Sequence, residues 1–156
     1  MLHIVLIEPE IPANTGNIGR TCLITGSVLH LVKPFGFSID DKAIKRAGMD
    51  YWSSIDLKIY DSMAHFMEEH GNKRLIMATT KTKRLYSEIS YQPGDYLVFG
   101  PESRGIPEEL LKKYAQTNVT IPMKSHPLAR SLNLSNAVAV VAYEALRQNN
   151  FKGMSK

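Results

Sequence analysis

Five short apolar runs separated by longer polar segments constrain the fold of this chain more than any other feature of its sequence. Each run has the length of a β-strand and is almost continuously apolar, whereas a strand with one side in water would alternate between apolar and polar residues. Such runs are typical of a parallel sheet covered by helices on both faces. The runs are residues 3–7, 28–32, 75–79, 96–99 and 119–121.

Four segments between and after these runs have the pattern of helices, and the alternation of strands with helices predicts an α/β domain with a mostly parallel sheet. Pro107, followed by Glu108 and Glu109, marks a helix start, because proline suits the first turn and acidic side chains suit the positive end of the helix dipole. The longest helix contains the apolar stretch 137–142, which we expect to be buried, with another subunit as one candidate partner. The predicted helices are residues 17–25, 62–70, 107–114 and 133–148.

The chain has 156 residues, of which 44% are hydrophobic, and these values favour one domain with its own core over a disordered chain. No linker or repeat divides it, so we expect a single domain over residues 1–156. Cys22 is the only cysteine and cannot pair within the chain, which favours a reducing compartment. No apolar run approaches the roughly 20 residues that cross a bilayer. We therefore expect a cytoplasmic protein without a membrane segment.

The net charge of +4 is distributed unevenly. From Lys112 to the C-terminus there are seven basic side chains and one acidic side chain, Glu144. A second basic cluster lies within residues 73–84. Two interpretations remain open: a surface that binds a polyanion such as nucleic acid, or an ordinary solvated surface, which composition alone favours.

The motifs of several common sites are missing. The chain has no P-loop, and the glycines that follow the first strand, Gly16 and Gly19, do not have the spacing of a dinucleotide-binding turn. The histidines lack the spacing of zinc ligands, and one cysteine cannot build a zinc cluster. Ser131 and Ser135 have no hydrolase elbow around them. We expect a function that uses no metal.

Two polar segments follow predicted strands, where ligands bind in open α/β sheets. In NTGNIGR (residues 14–20), Asn17 is a candidate helix cap, and Arg20 has no evident structural role, so it is a candidate for binding phosphate or a ribose hydroxyl. In FGPESRGIP (residues 99–107), Gly100 could let a ligand contact bare backbone, and Glu102 and Gly105 complete a rigid turn. Capping and packing explain the first segment apart from Arg20, and the second could be a structural loop alone.

The third segment precedes the longest predicted helix. Polar residues alternate with leucines there, and either Ser131 or Asn133 could cap the helix. A cap needs only one such residue, so the larger number indicates a polar pocket at the helix start. The polar residues are Arg130, Ser131, Asn133, Ser135 and Asn136.

Together these segments resemble the SPOUT superfamily of RNA methyltransferases, and in particular its small single-domain members that act on the wobble nucleotide of tRNA. The resemblance covers most of the chain and is carried by residues 8–20, 46–51, 99–105 and 131–138. It implies an α/β fold with a C-terminal trefoil knot, a homodimer in which both subunits contribute to each active site, and S-adenosylmethionine as cofactor.

The resemblance also implies roles for individual residues. Arg20 would act near the attacking hydroxyl, Asn133 and Ser131 would orient the ribose or the methionine end of the cofactor, and Glu102 would support its loop or contact the arginine of the other subunit. The cofactor contacts would fall at Ala78, Thr79, Gly100, Ile121, Ser131 and Leu132.

The function that follows is methylation of the ribose 2′-OH of cytidine or modified uridine at wobble position 34 of tRNA, with leucine tRNA as the expected substrate. The dimer would grip the anticodon stem-loop through Lys124, Arg130, Arg147 and the basic cluster 81–84. Two alternatives remain: a SPOUT enzyme acting on rRNA or another tRNA position, and a noncatalytic RNA-binding dimer.

Overall fold

The computed structural model describes residues 1–40, 42, 44, 46 and 49–155. Within segment 46–51, which carries part of the SPOUT resemblance, Ala47 and Gly48 lie outside the described residues.

Six parallel strands form one sheet with the order β3-β2-β1-β5-β4-β6. The strands are β1 (His3–Ile7), β2 (Val28–Val32), β3 (Leu57–Tyr60), β4 (Leu75–Ala78), β5 (Tyr96–Phe99) and β6 (Asn118–Val119). The helices are α1 (Pro12–Thr25), α2 (Met63–His70), α3 (Glu108–Lys113) and α4 (Leu134–Gln148), with 3-10 turns at Met49–Ser54 and Ala115–Thr117. The predicted α/β class with a mostly parallel sheet is confirmed.

The two faces of the sheet explain the continuous apolar runs. Along β1, Ile4 and Leu6 belong to a core that includes side chains of α1 and α4. Val5 and Ile7 belong to a second core, which includes side chains of α2 and α3. All four of these residues are at most 1% exposed, so neither face of the strand meets water.

Strand β3 escaped sequence analysis because it is a short edge strand. It pairs only with β2 among the described strands, and Lys58 and Ile59 are exposed. A four-residue segment with two exposed side chains lacks the continuous apolar character of the other strands. It therefore carries little of the signal by which those were found.

Helix α1 begins five residues earlier than predicted. Ile11 occupies the cap position, and its apolar side chain accepts no hydrogen bond. Pro12 lies in the first turn. The prediction that Asn17 caps this helix is wrong: Asn17 lies inside the helix and is exposed. Proline suits the first turn because its missing N–H would be unpaired there in any case.

The other predicted helix starts agree with the structure. Ser62 caps α2, its hydroxyl accepting a hydrogen bond from the backbone N–H of His65 at 3.1 Å. Asn133, rather than Ser131, caps α4. None of the helices in the described ranges is long and apolar enough to cross a membrane.

Three histidines and two tyrosines form a hydrogen-bonded chain on the α2 side of the sheet. The His3 and His30 rings meet at 2.9 Å, His30 meets the Tyr60 hydroxyl at 2.8 Å, and that hydroxyl meets His70 at 2.9 Å. The Tyr96 hydroxyl lies 3.2 Å from the other nitrogen of His70. One proton per contact satisfies this histidine–tyrosine chain with every member neutral.

Burial, together with the neighbouring His3 and His70, lowers the pKa of His30 to about 3. Burial also lowers the pKa values of His3 and His70. An unfolded chain takes up protons on these rings below about pH 6.5, while the folded chain keeps them neutral. Their contribution to stability is therefore complete above pH 6.5 and declines as the pH falls toward 3.

We expect the free energy of unfolding to fall between pH 7.5 and pH 5, by roughly 1 kcal/mol per pH unit below 6.5 from His30 alone. Urea unfolding at several pH values measures this slope. His30→Gln should flatten it, whereas His126→Gln, at an exposed histidine outside the histidine–tyrosine chain, should not. An unchanged slope in His30→Gln would contradict the role of the chain.

Candidate functional site

The carboxyl ends of the strands surround a cavity of about 420 Å³, here called the main cavity. Its walls come from the segments that follow β4, β5 and β6, from the start of α1 and from the start of α4. Of the nine residues predicted for the site, eight line this cavity. They are Ala78, Thr79, Gly100, Glu102, Ile121, Ser131, Leu132 and Asn133.

Arg20 is the ninth, and it is not among the described residues that line the main cavity. It lies on α1, half-buried, past the turn that borders the cavity. Within one subunit, the structure therefore does not bring Arg20 together with the other predicted residues.

Asn14 joins the three polar segments, a role that the sequence did not reveal. Its amide Nδ2 donates to Glu102 Oε1 at 3.2 Å, and its Oδ1 accepts from Asn133 Nδ2 at 3.1 Å. Asn14 is 5% exposed and lines the main cavity. We call Glu102, Asn14 and Asn133 the Asn14 bridge. The signal in the sequence that could have indicated this role is the polar residue Asn14 itself. The structure buries it in the first turns of α1, whereas the predicted helix began later, at residue 17.

Glu102 holds the start of α1. Its carboxylate accepts hydrogen bonds from the backbone N–H of Glu10 at 2.8 Å and of Ile11 at 3.0 Å, besides the one from Asn14. A carboxylate at this position also favours the positive end of the α1 dipole. Glu102 thus fixes, from a distant loop, the backbone of Glu10 and Ile11 that leads into α1.

Asn133 is held by contacts on both ends of its amide. Its Oδ1 accepts from the backbone N–H of Ser135 at 2.9 Å, from the Ser135 hydroxyl at 2.6 Å and from the backbone N–H of Asn136 at 3.3 Å. Its Nδ2 donates to Asn14. The side chain that caps α4 is therefore fixed in orientation at the edge of the main cavity.

The loop that contains Glu102 folds tightly on itself. A Cβ on Gly100 would lie 2.2 Å from backbone atoms of Gly105 and Ile106, and Gly105 has a positive φ of 72°. Gly100 was expected to leave backbone bare for a ligand; in the structure, the space of its missing side chain is taken by the loop's own backbone. Ser103 and Arg104 then bond to Glu10 and Glu8 in the segment after β1.

The residues predicted to contact RNA differ in their position and in the contacts that they already make within the chain. Lys81 and Arg130 line the main cavity, and Lys124 is exposed beside it. Arg147 instead forms a bidentate ion pair with Glu144, at 2.8 and 2.9 Å. Among the described residues, no group of histidines, cysteines and carboxylates could hold a metal ion.

We expect Asn14→Ala to weaken binding of the expected cofactor, S-adenosylmethionine, at least tenfold and to cost about 1–3 kcal/mol of stability, because it leaves the Asn133 Nδ2 group without its partner and removes one of the three hydrogen bonds of Glu102. Asn14→Asp should be worse, since it places a second carboxylate against Glu102. Calorimetric titration and thermal unfolding measure the two effects. Asn17→Ala, on the exposed side of the same helix, is the matched control; equal losses in both alanine variants would contradict the bridge.

Comparison with known proteins gives a consistent result. A family model described as SpoU rRNA Methylase family matches residues 1–143. Relatives named tRNA (cytidine(34)-2'-O)-methyltransferase include one from Escherichia coli K12, 49% identical over 98% of this chain and 97% of its own. Another, from Yersinia pestis, is also 49% identical with the same coverage.

A solved structure titled "Structural insights into the 2-OH methylation of C/U34 on tRNA" matches with a TM-score of 0.90 and 45% identity. The match covers 97% of this chain and 98% of the other. Since the family model and these relatives span nearly the whole sequence, the chain belongs to the SpoU methylase family.

Proposed function

We propose that this protein transfers a methyl group from S-adenosylmethionine to the ribose 2′-OH of cytidine or modified uridine at position 34 of tRNA, with leucine tRNA as the expected substrate. The observation that carries the proposal is the main cavity, which gathers eight of the nine residues expected for such an enzyme. The names of the full-length relatives support the same substrate and position.

The main cavity suits the cofactor in size and chemistry. Its volume falls within the range of small-molecule sites, and it combines apolar walls such as Ala137 and Val141 with polar groups such as Thr79 and Ser131. S-adenosylmethionine, when bound, supplies an electrophilic methyl group on a sulfonium. The residues that we propose to hold it are Ala78, Thr79, Gly100, Ile121, Ser131 and Leu132.

Arg20 is proposed to act on the attacking hydroxyl by its charge. A guanidinium stays protonated at physiological pH, so Arg20 cannot serve as a general base. A fixed positive charge beside a ribose hydroxyl lowers the pKa of that hydroxyl and stabilises the alkoxide character that develops during attack. Asn133 and Ser131 would hold the ribose, because transfer depends mainly on alignment.

Glu102 has a supporting role in this proposal. Its two oxygens already accept three hydrogen bonds, from the backbone N–H groups of Glu10 and Ile11 and from the Asn14 amide. Of the two roles expected for Glu102, support of the loop is the one that its contacts favour.

A homodimer would supply Arg20 to the main cavity. The residue lies away from the cavity of its own subunit, so an arginine from a partner can complete the site. Helices α1 and α4 pack together, and they carry or adjoin exposed apolar side chains: Ile24 (61% exposed), Tyr143 (40%) and Leu132 (38%). Such residues suit a subunit interface.

We also propose that the C-terminal part forms a trefoil knot and that the enzyme works in the cytoplasm. The segment after β6 borders the same cavity as the loops after β4 and β5, an arrangement that a knot would produce. RNA contact is assigned to Lys81, Lys83, Lys124 and Arg130. Arg147, engaged by Glu144, is left out. Arg84, which donates to the backbone carbonyl of Gln116, is left out as well.

The test combines purified protein, S-adenosylmethionine with a labelled methyl group, and bulk tRNA and rRNA from a strain that lacks the gene. We expect label only in tRNA, as a 2′-O-methylated nucleoside that mapping places at position 34 of leucine tRNA. Label in rRNA or at another tRNA position would show that the enzyme acts there and not on the proposed substrate. Cofactor binding without labelled RNA would support a noncatalytic RNA-binding dimer instead.

Arg20→Ala should lower kcat by at least a hundredfold while leaving the Kd for S-adenosylmethionine within about twofold, because Arg20 is proposed to act on the attacking hydroxyl and not on the cofactor. Arg20→Lys should recover part of the rate, since it keeps the charge and loses the fork geometry. Single-turnover methylation and calorimetric titration separate the two quantities. A wild-type rate in Arg20→Ala would exclude the proposed role.

A further inference from the structure

A second cavity of about 260 Å³ lies beside the main cavity. The two share wall residues in the loop after β5, among them Pro101 and Arg104. The second cavity also borders Ile7, the last residue of β1, and Glu8. It therefore opens where β1 and β5 lie side by side and where the strand order changes direction, the position at which open α/β sheets bind ligands.

A hydrogen-bond acceptor, Glu8, and a hydrogen-bond donor, Arg104, lie side by side at this cavity. Arg104 Nη2 donates to Glu8 Oε2 at 2.8 Å, and the side chains are 64% and 28% exposed. Pro101, Pro107 and Ile7 provide apolar surface around them. A flat group with a polar edge, such as a nucleobase, can be enclosed by such walls and bonded by such a pair.

The backbone at Glu8 points to a role beyond an ion pair. Its φ of 46° lies in the left-handed region, which costs free energy for a residue other than glycine. An exposed ion pair contributes too little to offset such a cost reliably. The conformation aims the Glu8 carboxylate at Arg104, and strained residues of this kind cluster at binding sites.

The charges around the pair argue against a phosphate as the ligand. The walls of the second cavity carry two acidic residues, Glu8 and Glu108, and two basic residues, Arg104 and Lys81, so they present no net positive charge to a phosphate. Arg104 is moreover engaged by Glu8 at 2.8 Å and lies 3.8 Å from Glu10 Oε1. A neutral base with a donor beside an acceptor does not depend on a positive charge.

We propose that the second cavity binds the base of the nucleotide whose ribose is methylated, with Glu8 and Arg104 bonding its Watson–Crick edge. This inference rests on the proposed function. Cytosine presents its N4 amino group beside the N3 acceptor, and uracil presents N3–H beside O4. A carboxylate next to a guanidinium can bond either edge, as glutamate does with the cytosine amino group in other complexes.

The experiment uses leucine tRNA assembled from two halves, with either cytidine or an abasic ribose at position 34. Both RNAs keep the reacting hydroxyl. We expect the wild-type enzyme to lose about ten- to a hundredfold in kcat/KM on the abasic RNA. Glu8→Gln should lose as much on the cytidine RNA and nothing further on the abasic one, since the contact is then already gone.

Glu10→Gln is the matched control. Glu10 lies next to Arg104 and accepts a hydrogen bond from Ser103, yet it does not line the second cavity, so it should resemble the wild type on both RNAs. RNA affinity, measured with S-adenosylhomocysteine in the cofactor site, provides a second readout that needs no turnover and should show the same pattern.

Equal losses on both RNAs in Glu8→Gln would mean that Glu8 only supports the loop, and wild-type methylation of abasic RNA at full rate would mean that no base is bound. Either result overturns the inference and leaves the proposed function intact. A wild-type enzyme that methylates neither RNA at position 34 would instead overturn the proposed function, and the inference with it.

Discussion

The site depends on one polar connection, the Asn14 bridge. Glu102, in the loop after β5, binds the start of α1, and Asn14, in the first turns of α1, binds the cap of α4. Three segments that are far apart in sequence are thereby fixed around the main cavity. The walls of the main cavity are thus held in place by contacts within the chain itself.

Much of the fold could be predicted because its physical cause is local. Strands buried on both faces leave continuous apolar runs, and Ser62 and Asn133 cap helices through bonds to backbone two or three residues away. The start of α1 could not be predicted in the same way. The segment that leads into it is held by Glu102, 91 residues from Ile11, and no local pattern encodes such a bond.

The functional site shows the same distinction between features with a local cause and features with a long-range cause. The polar segments at strand ends pointed to Gly100, Glu102, Ser131 and Asn133, and the resemblance to the SPOUT superfamily supplied the other four residues that line the main cavity, namely Ala78, Thr79, Ile121 and Leu132. Neither source provided the contacts of the site: the role of Asn14, the pairing of Glu8 with Arg104, and the use of Gly100 by its own loop. The first two join segments that are far apart in sequence, so they depend on strand order.

The contact between Glu102 and the segment that leads into α1 also affects how the site forms. A serine or aspartate at position 11 would stabilise α1 alone, whereas Glu102 can hold Glu10 and Ile11 only after β5 has paired with β1 and both following loops have met. These hydrogen bonds therefore couple the placement of the helix start to closure of the main cavity. Because the same hydrogen bonds also order the loop that lines the site, disordering of that loop should loosen the segment that leads into α1 as well.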